Sequence, residues 1–136
     1  MGVRIDTTVH LEDIFGEEYK FEVQDDKGKV MLTADNVAGI IKLFLRNLSN
    51  FYARSNNGKA MPFEWSERAT NIAIDMKMAV DGVLDLDIAD HNWLVERVKE
   101  FGTTFMQANA KQLLTWVSAM PEAPVLKDLK GGEGDG

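Results

Sequence analysis

The clearest pattern in the chain is a helical one. Val37, Ile40, Ile41, Phe44, Leu45, Leu48, Phe51 and Tyr52 recur at steps of three and four. That spacing places them on one face of a helix. It predicts a helix over 34–53, with Thr33 as its N-cap and Asp35 in the first turn, where a carboxylate meets the positive end of the helix dipole. Leu43 falls off the stripe and widens the apolar face. SNNGKAMP then reads as a loop.

Ahead of this helix the period changes to two. In EYKFEVQ, Tyr19, Phe21 and Val23 share one face, while Glu18, Lys20 and Glu22 share the other. This is the alternation of a half-buried strand. DDKG follows, a turn in which Gly28 supplies a positive φ, and KVMLT returns. The two runs predict a β-hairpin. An isolated hairpin is marginal in water, so its apolar face must pack on another element. Upstream, VRIDTTV reads as a third short strand, and LEDIFG as either a turn of helix or a loop.

A second helix opens at Pro62–Ser66, where proline fits the first turn. Its stripe is Trp65, Ala69, Ile72, Ala73, Met76 and Val80, and Asp81-Gly82 ends it with glycine as the cap. Ile74 and Met78 lie off the stripe, which points to burial on two faces or to a partner surface. VLDLD then runs extended. A third helix carries Leu94, Val95, Val98 and Phe101, with Gly102 as a stop or kink. A fourth, over 103–119, carries Phe105, Met106, Leu113, Trp116 and Val117 before Pro121. The fold expected is α+β and mainly helical, an N-terminal β-hairpin packed on about four α-helices. Residues 1–120 form the globular domain and 121–136 a flexible acidic tail.

Length and composition agree with one domain. The chain has 136 residues, 45% hydrophobic and 27% charged, enough for a hydrophobic core. With no cysteine, disulfides, thiolate metal sites and cysteine nucleophiles are excluded. The N-terminus lacks the apolar stretch of a secretory signal, and no apolar run reaches membrane-spanning length. A soluble, cytoplasmic protein is expected, with no membrane partner. The net charge of −7 argues against nucleic acid as a partner. The charge is uneven, however. Lys42, Arg46, Arg54 and Lys59 fall in a stretch, 37–63, that holds no acid. They are solvated helix charges, or a basic patch for an acidic surface on a partner or a second copy.

Asp85, Asp87, Asp90 and His91 resemble hard-metal ligands. Counted as a calcium loop from Asp85, the first and third positions are Asp and the twelfth is Glu96. The sixth, which must be glycine for the sharp turn, is Asp90. The better reading is a helix start, with Asp87 accepting from first-turn N–H groups and Asp90 reaching back. No nucleophile-elbow, Walker A or GxGxxG pattern occurs. Phe51 and Tyr52 beside Arg46, Arg54 and Lys59 could stack bases, but they complete a core stripe. Trp93 adjoins the third helix's stripe at Leu94, and is either an interface anchor or partly buried. No catalytic residue, metal or cofactor is assigned. The interface candidates are Lys42, Arg46, Arg54, Lys59, Ile74, Met78 and Trp93.

The order of elements carries one resemblance. A hairpin with D-x-x-G loops leads into LTADNVAGIIKLFL, then ERATNIAIDMKMAVDG behind a Pro-Phe start, then LDLDIADHNWLVERVKEFG. This layout, over residues 15–118, is similar to that of small accessory proteins of tailed bacteriophages and prophages. The resemblance implies a non-enzymatic protein in particle or tail assembly, in the host cytoplasm or on the virion, that binds a phage or host protein; the excess of apolar positions on the first two helices points to a homo-oligomer. It carries no functional residues with it. Two other readings are an acidic inhibitor that mimics DNA before a host defence or nucleic-acid enzyme, and a metal-dependent hydrolase.

Overall fold

The computed structural model describes residues 2–120. The tail expected for 121–136 lies outside the described residues. The elements run β1 (Gly2–Asp6), β2 (Phe21–Gln24), β3 (Val30–Ala34), α1 (Val37–Ser55), α2 (Phe63–Lys77), β4 (Val83–Asp87), α3 (Ile88–Met106), a 3-10 turn (Gln107–Asn109) and α4 (Ala110–Val117). The architecture is α+β: two small antiparallel sheets against three long helices and a short fourth.

α1 is the central element. Val37, Ile40, Ile41, Phe44, Leu48 and Phe51 are buried along the stripe, and so is Leu43 beside it. A run of aromatic contacts ties the neighbours to it. Phe21 of β2 meets Phe105 of α3 at 4.7 Å between ring centroids. Phe105 meets Phe44 at 5.6 Å and Phe51 at 5.8 Å. Phe101 joins Phe51 at 5.7 Å and Trp65 of α2 at 6.2 Å. Each ring pair adds roughly 0.5–1.5 kcal/mol beyond area burial. The hairpin therefore docks through β2, as its alternation requires. β3 docks little: Val30, Met31 and Leu32 remain exposed.

The N-terminus of α1 differs from the sequence reading. Thr33 is not the cap, because it lies in β3 opposite Glu22. Asn36 caps instead, its side-chain oxygen accepting from Gly39 N–H at 2.9 Å. Asp35 falls ahead of the helix, and its carbonyl accepts from Leu11 N–H at 3.0 Å. The remaining first-turn donors are also met. Val37 N–H donates to Val9 O at 2.9 Å, Ala38 N–H to Thr7 O at 3.0 Å, and Ile40 N–H to Asn36 O at 3.1 Å. The segment 7–11 thus satisfies groups that a buried helix end cannot leave open.

The strand 2–6 does not extend the hairpin. β1 pairs with β4 across the 76 intervening residues 7–82, with Arg4 opposite Asp85 and Ile5 opposite Leu84. Ile5, Leu84 and Leu86 face the core. Thr7 locks this sheet to the preceding turn, its N–H and hydroxyl both donating to Gly82 O. That turn also corrects the end of α2. The helix stops at Lys77, and Asp81 and Gly82, at φ +53° and +75°, shape the turn into β4.

Gly102 does not stop its helix. α3 runs through it to Met106, and the break comes at Gln107, with φ +51°. Gly102 is buried where α3 faces α4. A Cβ there would sit 3.7 Å from Ala110 Cβ and 3.7 Å from Val98 Cγ1, an ordinary contact. Gly102→Ala is therefore expected to stabilise the fold by about 0.5–1 kcal/mol through helix propensity. Gly82→Ala is expected to destabilise it, because its Cβ would lie 2.2 Å from Thr8 Cγ2 at a positive φ. Chemical denaturation of the two variants checks both signs.

Candidate protein interface

One cavity of the described surface has a broad apolar floor. It is a groove of about 520 Å³ between α1 and α2. Leu45, Met61, Ala69, Ala73 and Met76 supply its carbon surface, and Lys42, Arg46 and Lys77 stand at its edge. No acid lines it. It exists because of how little of α2 is buried. Ile72 alone is fully buried, and the small side chains at 69 and 73 leave a furrow against α1. Two of the basic interface candidates, Lys42 and Arg46, are thus brought together and joined by Lys77. Arg54, at the end of α1, and Lys59, in the following loop, are exposed but do not line the groove.

Ile74 and Met78 lie elsewhere. They are 50% and 72% exposed. Met78 lines a separate depression of about 370 Å³ with Arg4, Asp75, Val80 and Asp85. Charge is therefore divided along α2, with Lys77 on the groove side and Asp75 in the other depression. Trp93 is partly buried, not an exposed anchor. It packs on Trp65 at 6.2 Å, and the Arg97 guanidinium lies 4.3 Å from the Trp65 ring centre. Its Nε1 is buried without an acceptor among the described residues.

The acidic stretch begins a helix, but not by side-chain capping. Asp87 holds the N-cap position of α3 without accepting from the first turn. Asp90 is buried and turned towards α2, where Arg68 Nη1 lies 2.8 Å from its Oδ1. A long-range ion pair thus takes the place of the local cap that the spacing suggests. His91 Nε2 lies 2.9 Å from Val117 O, which ties α3 to the end of α4. Among the described residues, no three His, Asp or Glu side chains converge as ligands for one ion.

The sequence reading missed a second apolar surface. Ile14 and Phe15, left open as helix or loop, form the tip of a tight turn and are 52% and 81% exposed. Asp13 builds the turn. Its Oδ1 accepts from Phe15 N–H at 2.9 Å and Glu17 N–H at 3.1 Å, and its carbonyl accepts from Gly16 N–H at 3.0 Å. The hairpin turn repeats this arrangement. Asp25 Oδ1 accepts from Lys27 and Lys29 N–H at 2.9 Å each, and Asp25 O from Gly28 N–H at 3.0 Å. Gly16 and Gly28 share φ near +80°, at +79° and +82°. The two D-x-x-G sequences, DIFG and DDKG, are the signal that would have found it.

Comparison of the chain with protein-family models, with curated proteins and with solved structures finds no match. No helix among the described residues is long and apolar enough to cross a membrane.

One titration follows from the acidic flank. Burial, and then the nearby charges of Asp90, Asp85 and Asp87, raise the Asp75 carboxyl above its ordinary value. The folded state therefore holds this proton to higher pH than the unfolded chain. Stability is lost as pH rises through that window and stays lower above it. Asp75→Asn is expected to raise the melting temperature at neutral pH. The gain should shrink in acid below the ordinary aspartate range. Melting curves across pH measure it, and a gain that is independent of pH would contradict the assignment.

Proposed function

We propose that this protein is a non-enzymatic protein-binding module of a phage or prophage, acting in the host cytoplasm during particle or tail assembly. The observation that carries the reading is the α1–α2 groove, whose apolar floor and basic edge suit a protein segment with an apolar centre and acidic flanks. The exposed Ile14–Phe15 tip adds a second contact element of the kind that anchors interfaces. The layout resemblance to small tailed-phage proteins supports the setting. The division of charge along α2 favours this reading over a DNA mimic, which needs one continuous negative face.

Affinity capture from infected and uninfected bacterial lysates tests the reading, with the wild-type chain beside Lys42→Glu/Arg46→Glu. A partner, whether the chain itself or another protein, should be retained by the wild type. The double variant should lose it. Retention of nothing by a folded wild-type chain would contradict the proposal.

A further inference from the structure

The two D-x-x-G turns act as an internal control on each other. Their hydrogen bonds and glycine conformations are the same, so the turn itself imposes no requirement on its two central residues. In the hairpin these are Asp26 and Lys27, as solvent exposure favours. In the other turn they are Ile14 and Phe15. Exposing a phenylalanine at 81% has no local benefit. The tip is also tied by hydrogen bonds. Besides the Asp13 contacts, Ile14 N–H donates to Asn109 Oδ1 at 3.2 Å, which braces the turn against the chain just ahead of α4. A rigid apolar tip loses little entropy on docking.

The tip sits within an acidic setting, L-E-D-I-F-G-E-E-Y. Glu12, Glu17 and Glu18 are all exposed around it, while the Asp13 carboxylate is used within the turn. The groove has the complementary form: carbon surface below, Lys42, Arg46 and Lys77 above, and all three cations exposed. Three carboxylates flank an apolar projection, and three cations flank an apolar furrow, on one chain. The tip is not in its own groove, since it stands in solvent.

We propose that the Ile14–Phe15 finger of one copy of this protein inserts into the α1–α2 groove of a second copy, with Glu12, Glu17 and Glu18 facing Lys42, Arg46 and Lys77. The proposal rests on the protein-binding reading above and names the partner. Finger and groove are different surfaces, so each contact is heterologous. Two reciprocal contacts close a dimer, and contacts in one direction extend a chain or ring. Either product suits an assembly protein. Attraction between exposed charges makes the contact weaken as salt rises.

Sedimentation equilibrium with complementing variants tests it. The wild type should self-associate with an affinity that falls with salt. Ile14→Ser/Phe15→Ser should weaken association by about thirtyfold or more, the loss typical of removing an aromatic anchor. Lys42→Glu/Arg46→Glu should weaken it similarly. Mixed together, the two variants should form a one-to-one complex, because one keeps the groove and the other the finger. Glu17→Lys/Glu18→Lys placed in the same chain as Lys42→Glu/Arg46→Glu should restore self-association. All substituted side chains are exposed, and circular dichroism confirms that each variant is folded.

A wild type that stays monomeric at its highest soluble concentration would overturn the inference, as would a mixture of the two variants that stays unassociated. The lysate capture separates the two ideas. A monomeric chain that still retains a different protein through Lys42 and Arg46 refutes self-pairing and leaves the protein-binding reading standing. A monomeric chain that retains nothing removes both.

Discussion

Trp65, Arg68 and Ile72 fasten α2, Met76 adds a partly buried contact, and the furrow beside the helix stays open. At its N-terminal end Trp65 wedges between Tyr52, at 5.0 Å, and Phe101, at 6.2 Å. Midway, Arg68 reaches the buried Asp90 of α3. One turn further, Ile72 enters the core. Along this stretch the α2 residues that line the furrow, Ser66, Ala69, Thr70 and Ala73, are too short to close the gap. A leucine at 69 or 73 would fill the furrow with the chain's own carbon. With alanine there, the floor is left for something else to cover, and the neighbouring cations set the sign of what fits. Asp90 is costly to bury, and it is retained where its partner fixes the placement of this helix.

The same economy separates the two turns built on Asp13 and Asp25. Both meet their backbone donors with one carboxylate and use glycine for the left-handed residue. Identical scaffolding thus carries opposite surface chemistry at the two tips. The hairpin tip is made for water. The other tip presents carbon to solvent.

Much of the local structure was legible in the sequence. The period of the 37–52 stripe marked α1, and DDKG marked the hairpin turn, because both follow from neighbours a few residues apart. What failed was what depends on distant partners. Asparagine at 36 won the cap over Thr33 because β3 needed Thr33 for pairing. β1 joined β4 because Ile5 and Leu86 share a core that no local pattern reveals. Gly102 looked like a terminator, since nothing nearby discloses that α4 packs against it. Asp90 looked like a capping acid, and its true partner is 22 residues earlier. Of the interface candidates, Lys42 and Arg46 were readable from a stretch without acids, but Lys77 joined them only through the packing of α2. Ile14 and Phe15 were present in a repeated D-x-x-G pattern whose second copy was read only as part of an ambiguous loop.

In the proposed assembly the α1–α2 furrow is covered by the apolar projection of a second copy. Methionine methyl groups report on it directly, since Met61 and Met76 line the furrow while Met31 and Met78 are exposed elsewhere. In a concentration series of methyl-labelled protein, the Met61 and Met76 signals should move as association proceeds. They should return to their dilute positions in Phe15→Ser, and those of Met31 and Met78 should stay in place throughout. Met61 and Met76 signals that remain fixed while the protein associates would contradict the account.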